Sequence, residues 1–309
     1  MRVAPTAHPH VRRRRAMAPA AALPKVAAAA ASPAPLPAPG AVSRADGDFR
    51  VDEARARRDA DAALAKIDFS KRDIMLWVPG TDGHEVDPYF LRSREYTSRP
   101  GDSISLSVVD YVSTWELRDS CPTGIVTLKL VLQGIKDRLG DKIGEHHILL
   151  GGLSQGAWVI GEALADHQYG DIVERAVLFG HPWLAAHQYN SGQDPRVRVV
   201  NHLDDQVTLP VAGSAADGLD AMAAVRMGRL KTSLPLLIRT ILKNPHHGWL
   251  LAKGYTYNWP IFKGIWKDAH DYSNDIVRGY VYLKTGAFVP GAPAGRVPEY
   301  PQVFGSLDA

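Results

Sequence analysis

The sequence of 309 residues contains one cysteine, Cys121, and no long apolar run. A single thiol can neither close a disulfide within the chain nor supply a four-cysteine zinc site. No segment approaches the ~18 consecutive apolar residues that a membrane-spanning helix requires. With 45% hydrophobic and 22% charged residues, the composition is that of a globular protein. We therefore expect a domain that is held together by a hydrophobic core and does not cross a bilayer.

The basic charge is concentrated at one end of the chain. Residues 1–50 contain eight Lys or Arg and two acidic residues, whereas residues 51–309 contain 28 bases and 31 acids. A nucleic-acid-binding domain presents a basic folded face, and this nearly neutral body offers too little positive charge for one. We expect no nucleic-acid partner.

Residues 1–50 are dominated by Ala and Pro, with few large apolar side chains to bury. This composition is typical of a disordered or polyproline-like leader. An alternative interpretation is an export signal in which arginines 12–15 precede an Ala-rich stretch, although Pro19, Pro24 and Lys25 interrupt that stretch. As an export signal, this segment would imply an extracellular or cell-envelope site of action.

Strand-like and helical segments alternate between residues 51 and 290, which we take as the folded domain, followed by a tail at 291–309. The predicted strands are 74–78, 104–109, 148–150, 176–179 and 197–200, and the predicted helices are 52–67, 124–139, 155–167 and 273–283. Strands that alternate with helices indicate a parallel sheet covered by helices on both faces.

The strongest chemical signal is Gly152-Leu153-Ser154-Gln155-Gly156, which joins a predicted strand to a predicted helix. G-x-S-x-G in that context is a nucleophile elbow, a sharp turn that presents the serine hydroxyl at the carboxyl end of a sheet. The glycines allow the strand and the helix to approach closely. The sequence therefore predicts Ser154 as a nucleophile.

A nucleophilic serine needs a base and an orienting carboxylate, and after an elbow these follow in the order carboxylate, then histidine. Asp204 and Asp205 both follow a predicted strand, and either could orient the imidazole. His270 lies in a polar loop before the last predicted helix, where the base is expected. The adjacent His246 and His247 are the alternative base.

The developing oxyanion requires backbone N–H donors. We expect one donor at Gln155, directly after the nucleophile, and the other at Thr81, in the loop after the first predicted strand. Gly80 would let the backbone approach the substrate there. The alternative is a plain Gly-Pro turn without a catalytic role.

Several of these motifs resemble those of the cutinase-like serine esterases, which have the α/β-hydrolase fold. Residues 152–157 (GLSQGA) are similar to the family's elbow, and residues 205–207 (DQV) resemble the segment at the cutinase aspartate, which favours Asp205 over Asp204. Residues 269–272 (AHDY) resemble the region of the family's catalytic histidine. Residues 79–81 (PGT) resemble the turn after the first strand of lysin B, the mycolylarabinogalactan esterase of phages that infect mycobacteria.

Two departures from cutinases move the resemblance toward lysin B. Cutinases carry disulfides, which a single cysteine cannot form. Here His270 also follows Asp205 by 65 positions, whereas the cutinase histidine follows its aspartate closely. Lysin B is similar in carrying a helical insertion between the two residues. We therefore expect an α/β-hydrolase three-layer sandwich, with a central, mostly parallel sheet and a helical insertion at residues 213–253.

The resemblance implies a serine esterase that needs no metal or organic cofactor. Its expected substrate is a lipid ester with a long acyl chain, specifically a mycolyl ester of a mycobacterial-type cell envelope. Alternatives are a general cutinase- or lipase-type carboxylesterase, and an inactive hydrolase fold that binds acyl lipid or envelope glycan. The sequence contains no H-E-x-x-H motif, which disfavours a metal hydrolase of that type.

The insertion at residues 213–253 combines apolar helical stretches with six Lys or Arg and only two acids. An apolar helix face must bury against something. We expect the insertion to cap Ser154, with Leu237 and Ile241 contacting the acyl chain and the basic side chains facing an anionic envelope. The alternative is that these helices pack as ordinary core.

Overall fold

A computed structural model of the chain describes the region that carries most of the predicted site. The described residues are 49–97, 101–182, 193–202 and 270–288, with isolated positions 185, 187, 189, 205, 207, 208, 235, 238, 242 and 245. All belong to one compact unit, Ala41–Ala309. Apart from residues 49 and 50, the predicted leader lies outside the described residues, as does the predicted tail.

Within the described part of the chain, five strands form one sheet in which every neighbouring pair is parallel. They are β1 (Asp73–Val78), β2 (Ile104–Val108), β3 (His147–Leu153), β4 (Val173–Phe179) and β5 (Val197–Val200). Their order across the sheet is β2-β1-β3-β4-β5. The connection from β1 runs outward to β2, and the chain then crosses back to place β3 on the other side of β1. The point at which the strand order reverses therefore lies between β1 and β3. In open parallel sheets, ligands bind at the carboxyl ends of the strands beside such a switch point.

Helices cover both faces of this sheet. The described helices are α1 (Glu53–Ala65), α2 (Pro88–Thr97), α3 (Leu117–Leu139), α4 (Gln155–Ala165), α5 (His167–Gly170) and α6 (Ser273–Thr285), with a 3₁₀-helix at Gly140–Glu145. None of them is both long enough and apolar enough to span a bilayer.

Side chains alternate between the two faces of each strand, so β1 contributes to two separate cores. Ile74 and Leu76 pack with α1, α3 and α4 on one face. Met75 and Trp77 pack with α2 and α6 on the other. Helices, sheet and helices form three layers, which confirms the predicted α/β sandwich.

The five predicted strands are confirmed, whereas one helix was not predicted and another begins earlier than predicted. No helix was predicted at α2, although Asp87 followed by Pro88 is a helix-start signal. Helix α3 begins at Leu117 rather than at residue 124, and Pro122 lies inside it. Proline leaves the carbonyl four residues earlier without its helical donor. That carbonyl, of Arg118, instead accepts the N–H of Arg50 at 3.2 Å.

Candidate active site

Ser154 occupies a single-residue turn between β3 and α4. Its backbone has φ 54° and ψ −116°, a conformation that favours glycine and is strained for a side-chain-bearing residue. The turn is held by a 2.7 Å hydrogen bond from the Ser154 N–H to the carbonyl of Phe179 on β4. The serine is therefore presented at the carboxyl edge of the sheet, beside the switch point.

The two glycines of the motif are required by close backbone contacts. A Cβ on Gly156 would lie 2.1 Å from the carbonyl oxygen of Val78 and 2.5 Å from that of Pro79. A Cβ on Gly152 would lie 2.9 Å from the carbonyl carbon and 3.0 Å from the carbonyl oxygen of Gly156. Any side chain at either position would push the start of α4 away from β1 or β3. The motif spacing thus follows from the packing of the turn.

Asp205 and His270, which are 65 positions apart in the sequence, are hydrogen-bonded to each other. His270 Nδ1 lies 2.7 Å from Asp205 Oδ2. Asp205 is completely buried, and its Oδ1 accepts the N–H of Val207 at 2.9 Å. A buried carboxylate on Nδ1 fixes the imidazole tautomer and leaves Nε2 as the basic nitrogen. Asp204, His246 and His247, the alternatives from the sequence, lie outside the described residues.

His270 and Ser154 contact the same segment at the end of β4. Phe179 accepts the Ser154 N–H. The next residue, Gly180, has a φ of 58°, and a Cβ there would lie 2.7 Å from Cε1 of His270. The positive φ and the close imidazole together require glycine at this position. The turn after β4 therefore brings the histidine loop next to the elbow.

The loop after β1 lies directly against Ser154. A Cβ on Gly80 would be 3.1 Å from the Leu153 carbonyl oxygen and 3.4 Å from Ser154 Cβ. Tyr111 holds the loop by donating its hydroxyl proton to the Pro79 carbonyl at 3.1 Å. Thr81 follows Gly80 in this loop. The predicted position of the second oxyanion donor is therefore adjacent to the serine.

Gln155 is the first residue of α4, so its N–H has no acceptor within the helix. Its buried side chain is anchored to α3 and the residues before it: Nε2 donates to Ser120 Oγ, to Cys121 Sγ at 3.3 Å and to the Thr114 carbonyl at 3.5 Å. Burial raises the pKa of the Cys121 thiol to about 12. This cysteine is therefore an unreactive packing residue.

A cavity of about 470 Å³ adjoins the β1 loop and the elbow. It is lined by Trp77, Pro79, Gly80, Thr81, Asp82, Gly83, His84, Glu85, Val86, Asp87, Pro88 and Leu153. Asp87 caps α2, where its Oδ1 accepts the Tyr89 N–H at 2.8 Å. Burial, with a smaller contribution from the charge of Asp271, raises the pKa of Asp87 above its ordinary value. Four of its twelve lining residues have ionisable side chains: Asp82, His84, Glu85 and Asp87.

The predicted substrate contacts in the insertion, Leu237 and Ile241, lie outside the described residues. The residue that follows each of them is described, is helical and is exposed: Ile238 is 48% exposed and Leu242 is 79% exposed. Apolar surface on this part of the insertion is therefore open in the isolated chain.

Among the described residues, no three His, Cys, Asp or Glu side chains converge on a common metal site. The adjacent His146 and His147 have different partners: His146 Nδ1 lies 2.9 Å from the Lys71 carbonyl, and His147 pairs with Glu174.

No protein-family model and no curated protein matches the sequence. Several solved structures resemble the chain at low identity. A cutinase-like protein from Cryptococcus sp. is 13% identical, with a TM-score of 0.37 over 52% of this chain and 95% of its own. The catalytic core domain of an acetyl xylan esterase from Trichoderma reesei is 9% identical, with a TM-score of 0.36 over 54% and 98%. Trichoderma reesei cutinase, solved with a phosphonate inhibitor, is 19% identical, with a TM-score of 0.34 over 60% and 87%. At such values the assignment to the α/β class rests on the sheet and the elbow themselves.

Proposed function

We propose that the chain is a serine esterase in which Ser154 is the nucleophile, His270 the general base and Asp205 the residue that orients it. The observation that carries this proposal is the hydrogen bond between His270 and the buried Asp205, beside a serine held at positive φ. Carboxylate burial and backbone strain both destabilise a fold. Their occurrence together at a switch point supports a catalytic role over an idle hydrolase fold.

In this mechanism Ser154 Oγ attacks the ester carbonyl carbon while His270 Nε2 removes its proton. The same proton then passes to the leaving alcohol, and water releases the acyl group by the reverse sequence of proton transfers. The backbone N–H groups of Thr81 and Gln155 stabilise the oxyanion, and each such donor is worth about 3 kcal/mol in acyl-transfer enzymes. The catalytic groups of this mechanism are side chains and backbone amides of the chain.

We further propose that the cavity beside Gly80 receives the alcohol half of the ester. Its lining includes three carboxylates and an imidazole, those of Asp82, Glu85, Asp87 and His84. The hydroxyl groups of a polar alcohol can form hydrogen bonds with these side chains.

For the acyl half we propose a long chain, with a lysin B-like mycolyl ester of a mycobacterial-type envelope as the specific substrate. The exposed apolar side chains of Ile238 and Leu242, on the segment between Asp205 and His270, support a lipid-contacting role for the insertion. Leu237 and Ile241 would then contact the chain. A general cutinase-type carboxylesterase is the alternative, since the same site would cleave shorter esters.

Hydrolysis of p-nitrophenyl esters of increasing chain length, by the full chain and matched variants, tests both levels of the proposal. Asp205→Asn should lower kcat by about 10⁴-fold, the loss expected when the imidazole tautomer is wrong. Asp204→Asn is the matched control and should retain most of the activity. Replacing Leu237 and Ile241 together by Ser should raise KM for long-chain esters and leave butyrate hydrolysis nearly unchanged.

Equal losses in Asp204→Asn and Asp205→Asn would contradict the assignment of the orienting residue. If the Leu237 and Ile241 double variant lost activity at every chain length and also melted at a lower temperature, the insertion would be core rather than a lipid contact. Absence of hydrolysis by the wild-type chain would favour the inactive lipid-binding alternative.

A further inference from the structure

Tyr272 donates a hydrogen bond to the same carboxylate oxygen that holds His270. Its hydroxyl lies 2.6 Å from Asp205 Oδ2, and His270 Nδ1 lies 2.7 Å from that oxygen. The same hydroxyl accepts the backbone N–H of His202 at 3.0 Å. A phenol has one proton, and the acceptor role toward His202 directs that proton to Asp205. Tyr272 is therefore fixed as a donor to the carboxylate.

The surroundings of Tyr272 keep it rigid and neutral. Its side chain is buried, its ring stacks on His202 with centroids 4.1 Å apart, and its ring meets the His270 imidazole at 90° with centroids 5.5 Å apart. Burial, followed by the negative charge of Asp205, raises the pKa of Tyr272 far above its ordinary value. The phenol thus remains protonated wherever the protein is folded and active.

We propose that Tyr272 is a positioning residue, whose hydrogen bond to Asp205 Oδ2 holds that oxygen against His270 Nδ1 and shares its negative charge with the imidazole. The inference rests on the proposed role of His270 as the base. Hydrogen bonds to the charged form of a carboxylate stabilise that form. A carboxylate oxygen that is shared between two donors also attracts the imidazolium less strongly than one that contacts the imidazole alone. Tyr272 therefore weakens the attraction of Oδ2 for the imidazolium form of His270.

Other ionisable groups lie close enough to Tyr272 to affect the titration of the cluster formed by Tyr272, Asp205 and His270. On the far face of its ring, His202 Nε2 lies 2.9 Å from Asp275 Oδ2, and Arg278 donates to the other oxygen of Asp275 at 3.1 Å. Asp271, next to His270 in the chain, accepts the backbone N–H of Ser273, the first residue of α6, at 3.0 Å. Because His202 is a second imidazole beside the same phenol, the two histidines must be observed separately.

The decisive variant is Tyr272→Phe, which keeps the buried ring and removes only the donor. Titration of histidine-labelled protein by ¹H–¹⁵N NMR follows His270 and His202 as separate resonances. We expect the pKa of His270 to rise by about 0.5 unit or more. We also expect kcat for ester hydrolysis to fall by about tenfold, the rate equivalent of one hydrogen bond to a charged group, with KM changed less than about twofold.

Tyr282→Phe is the matched control. Tyr282 lies on α6 and is also buried, and its hydroxyl donates to the Arg196 carbonyl at 2.8 Å rather than to Asp205. It should lose similar stability and leave both kcat and the pKa of His270 unchanged. Should Tyr272→Phe fail to fold, 3-fluorotyrosine at position 272 provides a stronger donor, and the pKa of His270 should then fall.

An unchanged pKa of His270 in Tyr272→Phe, or no fall with 3-fluorotyrosine, would overturn the inference. The titration requires no turnover, so it remains decisive if the wild-type chain hydrolyses no ester. A wild-type chain that hydrolyses no ester would refute the proposed function and not this inference.

Discussion

Positive φ among the described non-glycine residues is confined to Ser154 (54°) and Asp82 (59°). One forms the elbow, and the other lies in the loop that faces it and lines the adjacent cavity. Asp82 is held by Trp115, whose indole N–H donates to its carboxylate at 2.7 Å. Backbone strain in this part of the chain is therefore concentrated where the reacting atoms would lie, as is common at catalytic sites.

Ser154→Gly should be more stable than Ser154→Ala. Strain of this kind costs about 1–3 kcal/mol, and the greater entropy of unfolded glycine offsets about 0.5–1 kcal/mol of any gain. The glycine variant should therefore exceed the alanine variant by about 1 kcal/mol in free energy of unfolding, measured by urea denaturation, while both lack activity. An alanine variant as stable as the glycine variant, or more stable, would show that the turn relaxes in solution.

Single residues differed in how far the sequence could assign them. Ser154 is assigned by its glycines, because their spacing follows directly from the contacts of a strand-to-helix turn. Asp205 was distinguished from Asp204 only by resemblance, since both follow the same strand. Tyr272 was not predicted at all. A hydrogen bond between residues 67 positions apart has no local signature, and only the packing of α6 against the sheet creates it.

At the scale of elements, the strands were the easiest to predict and α2 the hardest. The strands are short runs of Val, Ile and Leu, a composition typical of buried parallel strands. Helix α2 groups three apolar residues at 89–91 before the polar and charged residues 92–95, and so presents no continuous apolar stripe. Its start is instead determined by Asp87 and Pro88. The Asp87 side chain accepts the Tyr89 N–H at this helix start, and Asp87 also lines the cavity beside the site.

Asp87→Asn should raise stability at neutral pH. The pKa of Asp87 is raised in the folded chain above its ordinary 3.8, so the folded state binds the proton more tightly than the unfolded state. Its stabilising contribution is complete below the ordinary value and is lost as pH rises through the raised one. Asparagine caps a helix as well as aspartate does, and it carries no charge to bury.

The measurement is the melting temperature of wild type and Asp87→Asn near pH 3 and near pH 7. The variant should melt higher than wild type at the higher pH, with the difference shrinking at the lower one. Asp52→Asn, at the exposed N-cap of α1, is the matched control and should not reproduce the gain. A variant that is destabilised at neutral pH would show that the Asp87 carboxylate is favourable as an anion.

At the scale of the whole molecule, the sheet order explains why distant segments meet. The loops after β1, β3, β4 and β5 all leave the same edge of a parallel sheet, so residues following each strand gather there. The sequence was sufficient to predict that Thr81, Ser154 and Asp205 would lie along this edge. It could not predict which side chains would line the cavity. That lining depends on where the loop after β1 ends and α2 begins, and α2 was not predicted.

The charge distribution is also a property of the whole chain. The positive net charge comes from residues 1–50, while residues 51–309 have a small excess of acids. The cavity beside the serine is likewise lined by more acidic than basic side chains. The proposed attraction to an anionic envelope must therefore come from the leader or the insertion rather than from the site itself.

The most direct test of the central claim is covalent labelling by a fluorophosphonate, followed by intact-mass and peptide mass spectrometry. The proposed function requires one adduct per chain, located on Ser154, formed slowly in His270→Ala and absent in Ser154→Ala. A wild-type chain that labels no better than Ser154→Ala, or that carries its adduct on another residue, would contradict the assignment of Ser154 as a nucleophile.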